Sequence, residues 1–276
     1  ILFKYQKSGI SDRNLLKHLV FQFRDDWHKV LYRVYFNQYE TQRLYFVQKH
    51  VFDRYEYLAN KSYLLDIGCG RGCIASYLVE SGYVSSAMGI DDINFQSEWK
   101  DRQALVQGVN FKQITVNNIE KWLKNHDKFD IVCLFYVLHH SNNYWAAQTL
   151  KSIKNHMNPK GYVVILEDTL ITDLKPDPAN DPNELTPTWL QWANERKPYV
   201  LTYGYDVQLI LDFVAVQILA GFLDVSMPCN YKLGFQWELL FKQIGYEIVE
   251  KYNIGFPNCR DIDVPQGLYI LKPFSK

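Results

Sequence analysis

The chain has 276 residues, of which 47% are hydrophobic and 22% charged, and this composition is typical of a folded globular protein rather than a disordered one. Thirty basic and thirty acidic side chains cancel, and this neutrality argues against a protein whose main role is to coat nucleic acid or an anionic membrane. Five scattered cysteines are too few for a disulfide framework and complete no zinc site. We therefore expect reduced thiols, no bound metal and a cytoplasmic location.

Residues 1–60 are expected to form an N-terminal helical cap. Apolar residues spaced three and four apart predict three helices there, the third over residues 40–58. The cap is rich in aromatic side chains, and Tyr32 and Tyr35 are its candidate substrate contacts. The chain begins with Ile1 rather than Met, so we expect a mature product or a piece of a longer polypeptide.

Residues 61–168 alternate short apolar runs with helix-like segments. The predicted strands cover residues 63–65, 84–90, 111–116, 129–135 and 162–166, and the predicted helices cover residues 72–80, 97–107, 119–124 and 142–157. This alternation predicts βαβ units and a doubly wound, mostly parallel sheet. Such a sheet binds ligands at the carboxyl ends of its strands, where the strand order reverses.

The remaining residues are interpreted as an insertion and the completion of the sheet. Residues 169–230 hold a proline-rich stretch and then an apolar run, which we expect to form a second part of the substrate cap. The apolar run carries Asp212 and Asp224 among other polar residues, which favours a buried helix over a membrane span. Residues 231–276 contain one further predicted helix and two strands.

A glycine-rich loop joins the first predicted strand to the first predicted helix. It reads Leu-Leu-Asp-Ile-Gly-Cys-Gly-Arg-Gly over residues 64–72, and its glycines let the backbone approach a ligand closely. A dinucleotide fingerprint requires a glycine where Cys73 stands. Asp66 would repel a pyrophosphate but can orient a ligand's ammonium group. The loop thus favours a cationic amino-acid ligand and counts against a nicotinamide enzyme.

Five pieces in this order resemble the class I S-adenosylmethionine-dependent methyltransferases. They are residues 66–70, residues 89–91, residues 117–120, residues 129–132 with 137–140 behind them, and residues 157–161. The resemblance implies an α/β fold, namely a Rossmann-like, doubly wound, seven-stranded mixed sheet with an α-helical cap, and S-adenosylmethionine as cofactor. The cofactor contacts it implies are Asp66, Gly68, Cys69, Gly70, Asp91, Asp92, Asn118, Ile119 and Phe135. Asp91 would bind the ribose, and Asn118 stands where the family commonly places an acid against the adenine amine.

The segment after the fourth strand lies beside the reacting methyl group in this fold. We expect His140 to act as general base or substrate contact, with His139 second, because histidine accepts protons near neutral pH. Asp168 is a further candidate for proton removal, and Glu167 and Tyr136 are candidate substrate contacts. The alternative for the two histidines is a structural role in capping the next helix. The alternative for Glu167 and Asp168 is that they are loop acids exposed to water.

Absent motifs restrict the reaction. No Asn-Pro-Pro-Tyr type motif and no Pro-Cys pair follows the fourth strand, which argues against amine methylation of nucleic acids and against cysteine-based base methylation. We therefore expect methyl transfer to an oxygen or nitrogen atom of a small molecule. Two alternatives stay open: a domain that methylates RNA caps, which a longer polypeptide would contain, and a catalytically silent module that binds the cofactor.

Overall fold

The computed structural model describes residues 37–169, 230–255 and 266–274. Tyr32 and Tyr35, the first two predicted helices and the apolar run at 207–225 lie outside these residues, as does nearly all of the predicted insertion.

The described chain alternates helices and strands. The helices are α1 (Asn37–Val47), α2 (Cys73–Glu80), α3 (Gln96–Leu105), α4 (Ile119–Leu123), α5 (Asn143–Asn155) and α6 (Gly234–Ile244). The strands are β1 (Lys61–Ile67), β2 (Val84–Asp91), β3 (Val109–Gln113), β4 (Phe129–Phe135), β5 (Met157–Asp168), β6 (Tyr246–Gly255) and β7 (Gln266–Pro273). A π-helical turn (Gln48–Phe52) extends α1, and short 3-10 turns cover Glu56–Leu58, Val116–Asn118 and Leu138–His140.

The strands form one seven-stranded mixed sheet in the order β3-β2-β1-β4-β5-β7-β6. Strands β1 to β5 run parallel, and β7 pairs antiparallel with both β5 and β6. This arrangement confirms the predicted mixed sheet of an α/β fold.

Both faces of the sheet are buried, which explains the continuous apolar runs of its central strands. In β1, Leu65 packs against a core shared with α4, α5 and α6, while the preceding Leu64 packs against a core shared with α1 and α2. Adjacent residues of a strand point to opposite faces, so each central strand needs apolar side chains at successive positions.

Most predicted segments differ from the structure by one or two residues at their ends, and three differ more. The third strand ends at Gln113 rather than at residue 116, because the chain turns into the Val116–Asn118 turn while Ile114 still packs against the core. The fifth strand begins at Met157, and residues between the pairs Phe129–Met157 and Ile131–Tyr162 form a bulge. Within the predicted helix over residues 40–58, regular α-helix ends at Val47. The chain continues as a π-helical turn and then as a 3-10 turn.

The strand order creates a crevice at the carboxyl edge of the sheet. From β1 the chain moves outward to β2 and β3, and then returns to place β4 on the other side of β1. The loop after β1 (residues 68–72) and the loop after β4 (residues 136–142) therefore run away from the sheet in opposite directions. A cleft lies between them. No helix in the described part of the chain is long and apolar enough to cross a membrane.

Candidate active site

A cavity of about 500 Å³ occupies this crevice. Its apolar walls are Ile67, Ile90, Ile93, Phe95, Ile114, Val116, Ile119, Leu134, Val137, Leu138 and Trp145. Its polar or backbone positions are Gly68, Gly70, Asp91, Asp92, Asn117, Tyr136, His140, Ser141, Asn142 and Thr149. An apolar pocket of this size with a few convergent polar groups suits an organic ligand that carries a polar end.

The glycine-rich loop forms one wall of the cavity. The N–H groups of Gly68 and Cys69 both donate to the carbonyl of Ile90, at 2.8 and 3.1 Å, which ties the loop to the end of β2. Gly68 has φ +73°, and a Cβ at this position would lie 2.3 Å from a methyl carbon of Val137. Only glycine satisfies both constraints, so the loop after β1 can approach the loop after β4 closely.

Asp91 ends β2 and lines the cavity. Its carboxylate accepts the N–H of Gly70 at 2.8 Å through one oxygen and the N–H of Ile93 at 2.9 Å through the other. A carboxylate has about four acceptor positions, so acceptor capacity remains for a ligand. Burial, with a smaller contribution from the neighbouring Asp92, raises the pKa of Asp91 to about 6, and the two N–H bonds oppose this shift.

Asp66 occupies a different environment from the one predicted for it. Its side chain is buried, and it is absent from the residues that line the cavity. Burial, with a further contribution from Asp91, raises the pKa of Asp66 to about 8, while a hydrogen bond from the backbone of Ala75 in α2 opposes this shift. The carboxyl group therefore lies behind the loop, against the start of α2, rather than on the ligand side.

The short turn after β3 presents one asparagine to the cavity. Asn117 and Ile119 line the cavity, whereas Asn118 is exposed and donates from its side chain to Thr115 Oγ1 at 2.9 Å. Successive residues of a 3-10 turn are rotated by about 120°, so neighbouring asparagines face different directions. The predicted contacts Cys69 and Phe135 lie in the core beside the cavity rather than in its lining.

Tyr136 directly follows the fourth strand and has a strained backbone conformation. It has φ +62°, which is rare for residues other than glycine and is concentrated at functional sites. Tyr136 lines the cavity, and the guanidinium carbon of Arg43 from α1 lies 3.8 Å from the centroid of its ring. The N-terminal helix thereby contacts the same wall as the loop after β4.

Glu167 is fully buried and holds the loop after β4. One carboxylate oxygen accepts the N–H groups of Val137 and Leu138 at 2.9 and 2.6 Å. The other accepts the N–H of His139 at 3.3 Å and lies 2.7 Å from its Nδ1, which must carry a proton to bond a carboxylate. Because these groups surround its carboxylate, Glu167 is an organising residue of the loop and lies outside the cavity lining.

The two histidines that follow β4 are placed differently. His140 lines the cavity, whereas His139 is buried beneath it, with its ring 4.1 Å from the ring of His140. Asp168, the other predicted catalytic acid, is nearly buried and accepts Gln266 Nε2 at 2.6 Å, outside the cavity lining. Of the three predicted catalytic residues, the structure brings only His140 to the cavity.

Several lining residues were missing from the sequence-based prediction. Besides apolar wall residues of the strands and loops, they include Asn117, Ser141, Asn142, Trp145 and Thr149. Asn142 caps α5 by accepting the N–H of Trp145 at 3.0 Å, and a run of polar residues before a helix is a recognisable signal for such a cap. That signal locates the start of the helix, but it carries no information on which side of the helix faces a cavity.

Comparisons with known proteins agree with this geometry. Among curated relatives, the ubiquinone biosynthesis O-methyltransferase of Rickettsia typhi is 27% identical over 106 residues, which cover 38% of this chain and 41% of that protein. The corresponding protein of Rickettsia canadensis is 29% identical over 125 residues, 45% of this chain and 49% of that one. The matched region thus spans less than half the length of each.

Solved structures share the fold at low identity. An O-methyltransferase family protein from Burkholderia thailandensis is 13% identical, with 91% of this chain and 60% of that chain covered and a TM-score of 0.53. The N,N-8-amino-8-demethyl-D-riboflavin dimethyltransferase RosA from Streptomyces davawensis is 16% identical, with 96% of this chain and 70% of that chain covered and a TM-score of 0.51. Identities this low establish the fold alone.

The family match extends much further along the chain. Residues 39–251 match the family described as a methyltransferase domain, which is well over half of the sequence. The chain therefore belongs to the methyltransferase domain family, and its predicted place among the class I S-adenosylmethionine-dependent methyltransferases is confirmed.

Proposed function

We propose that this chain transfers a methyl group from S-adenosylmethionine to an oxygen or nitrogen atom of a small molecule. The observation that carries the proposal is the cavity at the strand-order reversal, where Asp91 retains acceptor capacity beside a glycine loop with positive φ angles. The names of the curated relatives support a small-molecule acceptor, since they describe ubiquinone biosynthesis O-methyltransferases.

The residues present fit the cofactor. Asp91 can accept the ribose hydroxyls, and the apolar walls at Val116, Ile119 and Leu134 suit a purine ring. Asn117 offers an amide that can accept from the adenine amine, a role that we move from Asn118 because Asn117 lines the cavity. When bound, S-adenosylmethionine would supply an electrophilic methyl group on a sulfonium.

The chain's own contribution is orientation, exclusion of water and the handling of one proton. The apolar walls exclude water, and the loop fixed by Glu167 presents Tyr136 and His140 to the same space. Much of the acceleration of methyl transfer can come from such positioning. We assign His140 as the general base for an acceptor that holds a proton at neutral pH.

The acceptor side of the site is assigned to the segments that flank this cavity. We propose that residues 1–60 and 169–230 form the substrate cap on a core made by residues 61–168 and 231–276. Arg43 of α1 lies against Tyr136 at the cavity wall, and the chain returns at Asn230 beside His139, which supports this division. The predicted cytoplasmic location rests on cysteine usage, and Cys69, Cys73 and Cys133 form no disulfide within the described part of the chain.

The direct test is turnover. The protein is incubated with S-adenosylmethionine and a panel of phenols, hydroxyquinones and aromatic amines, and the S-adenosylhomocysteine released is measured. We expect release with at least one acceptor class, and we expect His140→Ala to lower that rate by about 100-fold, as loss of a general base does. His126→Ala is the matched control, because His126 bonds the carbonyl of Trp122 away from the cavity.

An absence of release from the whole panel, together with binding of S-adenosylhomocysteine, would instead identify a silent cofactor-binding module. Capped RNA is assayed in parallel, and release with it but with none of the small molecules would identify the RNA alternative. Equal rates for His140→Ala and His126→Ala would remove His140 as the base.

A further inference from the structure

We propose that Asn230 is a positioning residue for the methyl-transfer site, acting as a strap across the loop after β4. The inference rests on the proposed function, because that loop carries His140. Asn230 itself lies outside the cavity lining, so it would act only through the residues that it holds.

The strap crosses the loop at two points. The backbone N–H of Asn230 donates to the carbonyl of His139 at 3.0 Å, and its side-chain Nδ2 donates to the carbonyl of Ser141 at 2.8 Å. These carbonyls flank His140, whose own N–H donates to the carbonyl of Val137 at 3.1 Å. The backbone of His140 is thus fixed by hydrogen bonds on both of its sides.

The hydrogen-bond partners of Asn230 determine the orientation of its side-chain amide. Nζ of Lys232 donates to Asn230 Oδ1, and an ammonium group can only donate. The oxygen of the amide must therefore face Lys232, which leaves Nδ2 to face the carbonyl of Ser141. Lys232 is itself held 4.8 Å above the ring of Trp237, at the buried start of α6.

A stacked ring completes the contact. Tyr231 is buried, and its ring lies 5.2 Å from the ring of His139 at an interplanar angle of 19°. On its other side His139 is bonded to Glu167, so the loop is held by a carboxylate from β5 and by the strap from the segment before α6. Two independent attachments leave the backbone between Val137 and Asn142 little freedom.

The strap also joins this loop to the two ends of the predicted insertion. Thr169, just after β5, forms a parallel bridge with Lys232, so the chain leaves the sheet and returns to it at the same place. A change at this point of the chain can therefore reach His140 through the two hydrogen bonds that Asn230 makes to the carbonyls of His139 and Ser141. Asn230 therefore has a role in placing His140. Asn230 and Ser141 lie 89 residues apart, so local sequence spacing does not predict this contact.

Hydrogen exchange tests the strap without any cofactor. In Asn230→Ala we expect amide exchange over residues 137–142 to rise at least about tenfold, while exchange in β1 and β2 stays within about twofold of the parent chain. The imidazole resonances of His139 and His140 should shift in the same variant. Asn158→Ala is the matched control, because Asn158 Nδ2 bonds Asp130 at 2.6 Å near the opposite edge of the sheet.

A second pair of variants covers a failure of Asn230→Ala to fold. Lys232→Met removes the group that orients the amide of Asn230 and should raise amide exchange over residues 137–142. Lys232→Arg keeps a donor, so exchange over the same residues should stay close to that of the parent chain. Exchange unchanged in that segment, or raised equally over the whole sheet, would overturn the proposal. Titration of the parent chain with S-adenosylhomocysteine reports separately on the proposed function, so the two can fail independently.

Discussion

At the scale of single residues, the most informative groups are carboxyls whose environments differ. Asp91, Asp66 and Glu167 all lie at the carboxyl ends of strands, yet they do three different things. Asp91 faces the cavity, Asp66 lies against the start of α2, and Glu167 collects the N–H groups of a loop. The resemblance to the methyltransferases was enough to predict that Asp91 belongs to the site, because it ends the second strand as the family's ribose-binding acid does.

The roles of Glu167 and Asn117 could not be predicted in the same way. Glu167 bonds residues 28 to 30 positions away, and its burial depends on how two strands pair rather than on any local pattern. Asn117 and Asn118 are chemically identical, and only the phase of a short turn decides which one faces the cavity. Local spacing therefore predicts the glycine loop well and the loop after β4 poorly.

The raised pKa of Asp66 predicts how the stability of the protein depends on pH. Its folded pKa of about 8 lies above the ordinary value of 3.8, so the folded protein holds a proton that the unfolded chain releases as pH rises between these values. Stability from this group is complete below pH 3.8 and is lost as the pH rises towards about 8. Asp66→Asn should therefore raise the melting temperature, and the gain should be larger at pH 8.5 than at pH 5, measured by calorimetry.

The control for this variant is Asp127→Asn, since Asp127 is exposed. A gain for Asp66→Asn that is the same at both pH values would show that the Asp66 carboxyl is ionised throughout. The cause assigned here, burial opposed by one backbone hydrogen bond, would then be wrong.

At the scale of elements, the site depends on α3 as well as on the strands that end there. Trp99 of α3 donates from Nε1 to the carbonyl of Gly70 at 2.8 Å, and Arg102 donates from Nε to the carbonyl of Arg71 at 2.7 Å. The indole also stacks with Phe111 of β3, with a ring separation of 6.0 Å. The helix between β2 and β3 thus braces the glycine loop that follows β1.

Trp99→Phe isolates the contribution of that brace. Phenylalanine keeps an aromatic ring but loses the N–H donor, so we expect the free energy of unfolding to fall by about 1 kcal/mol beyond the loss of packing. Trp122→Phe is the matched control, because Trp122 is similarly buried but its Nε1 has no hydrogen-bond partner among the described residues. Equal losses in urea unfolding would show that the bond to Gly70 contributes nothing.

At the scale of the whole molecule, the alternation of strands and helices was enough to predict a doubly wound sheet. It could not predict that β7 inserts between β5 and β6, because that order arises from antiparallel pairing late in the chain. The order matters for the site, since it brings α6 and the strap at Asn230 back beside the loop after β4. Contacts of this range become visible only when the sheet is assembled.

Binding of the adenosyl cofactor in the crevice through Asp91 can be measured by calorimetric titration with S-adenosylhomocysteine. We expect micromolar binding at pH 7.5, weakened at least about 30-fold in Asp91→Ala, which loses charge-assisted hydrogen bonds to the ribose, and unchanged in Asp127→Ala. Since the pKa of Asp91 is raised to about 6, its ionised form becomes scarce at pH 5, where binding by the parent chain should weaken about tenfold. The absence of binding to the parent chain, or equal affinity for the Asp91→Ala variant, would contradict the account.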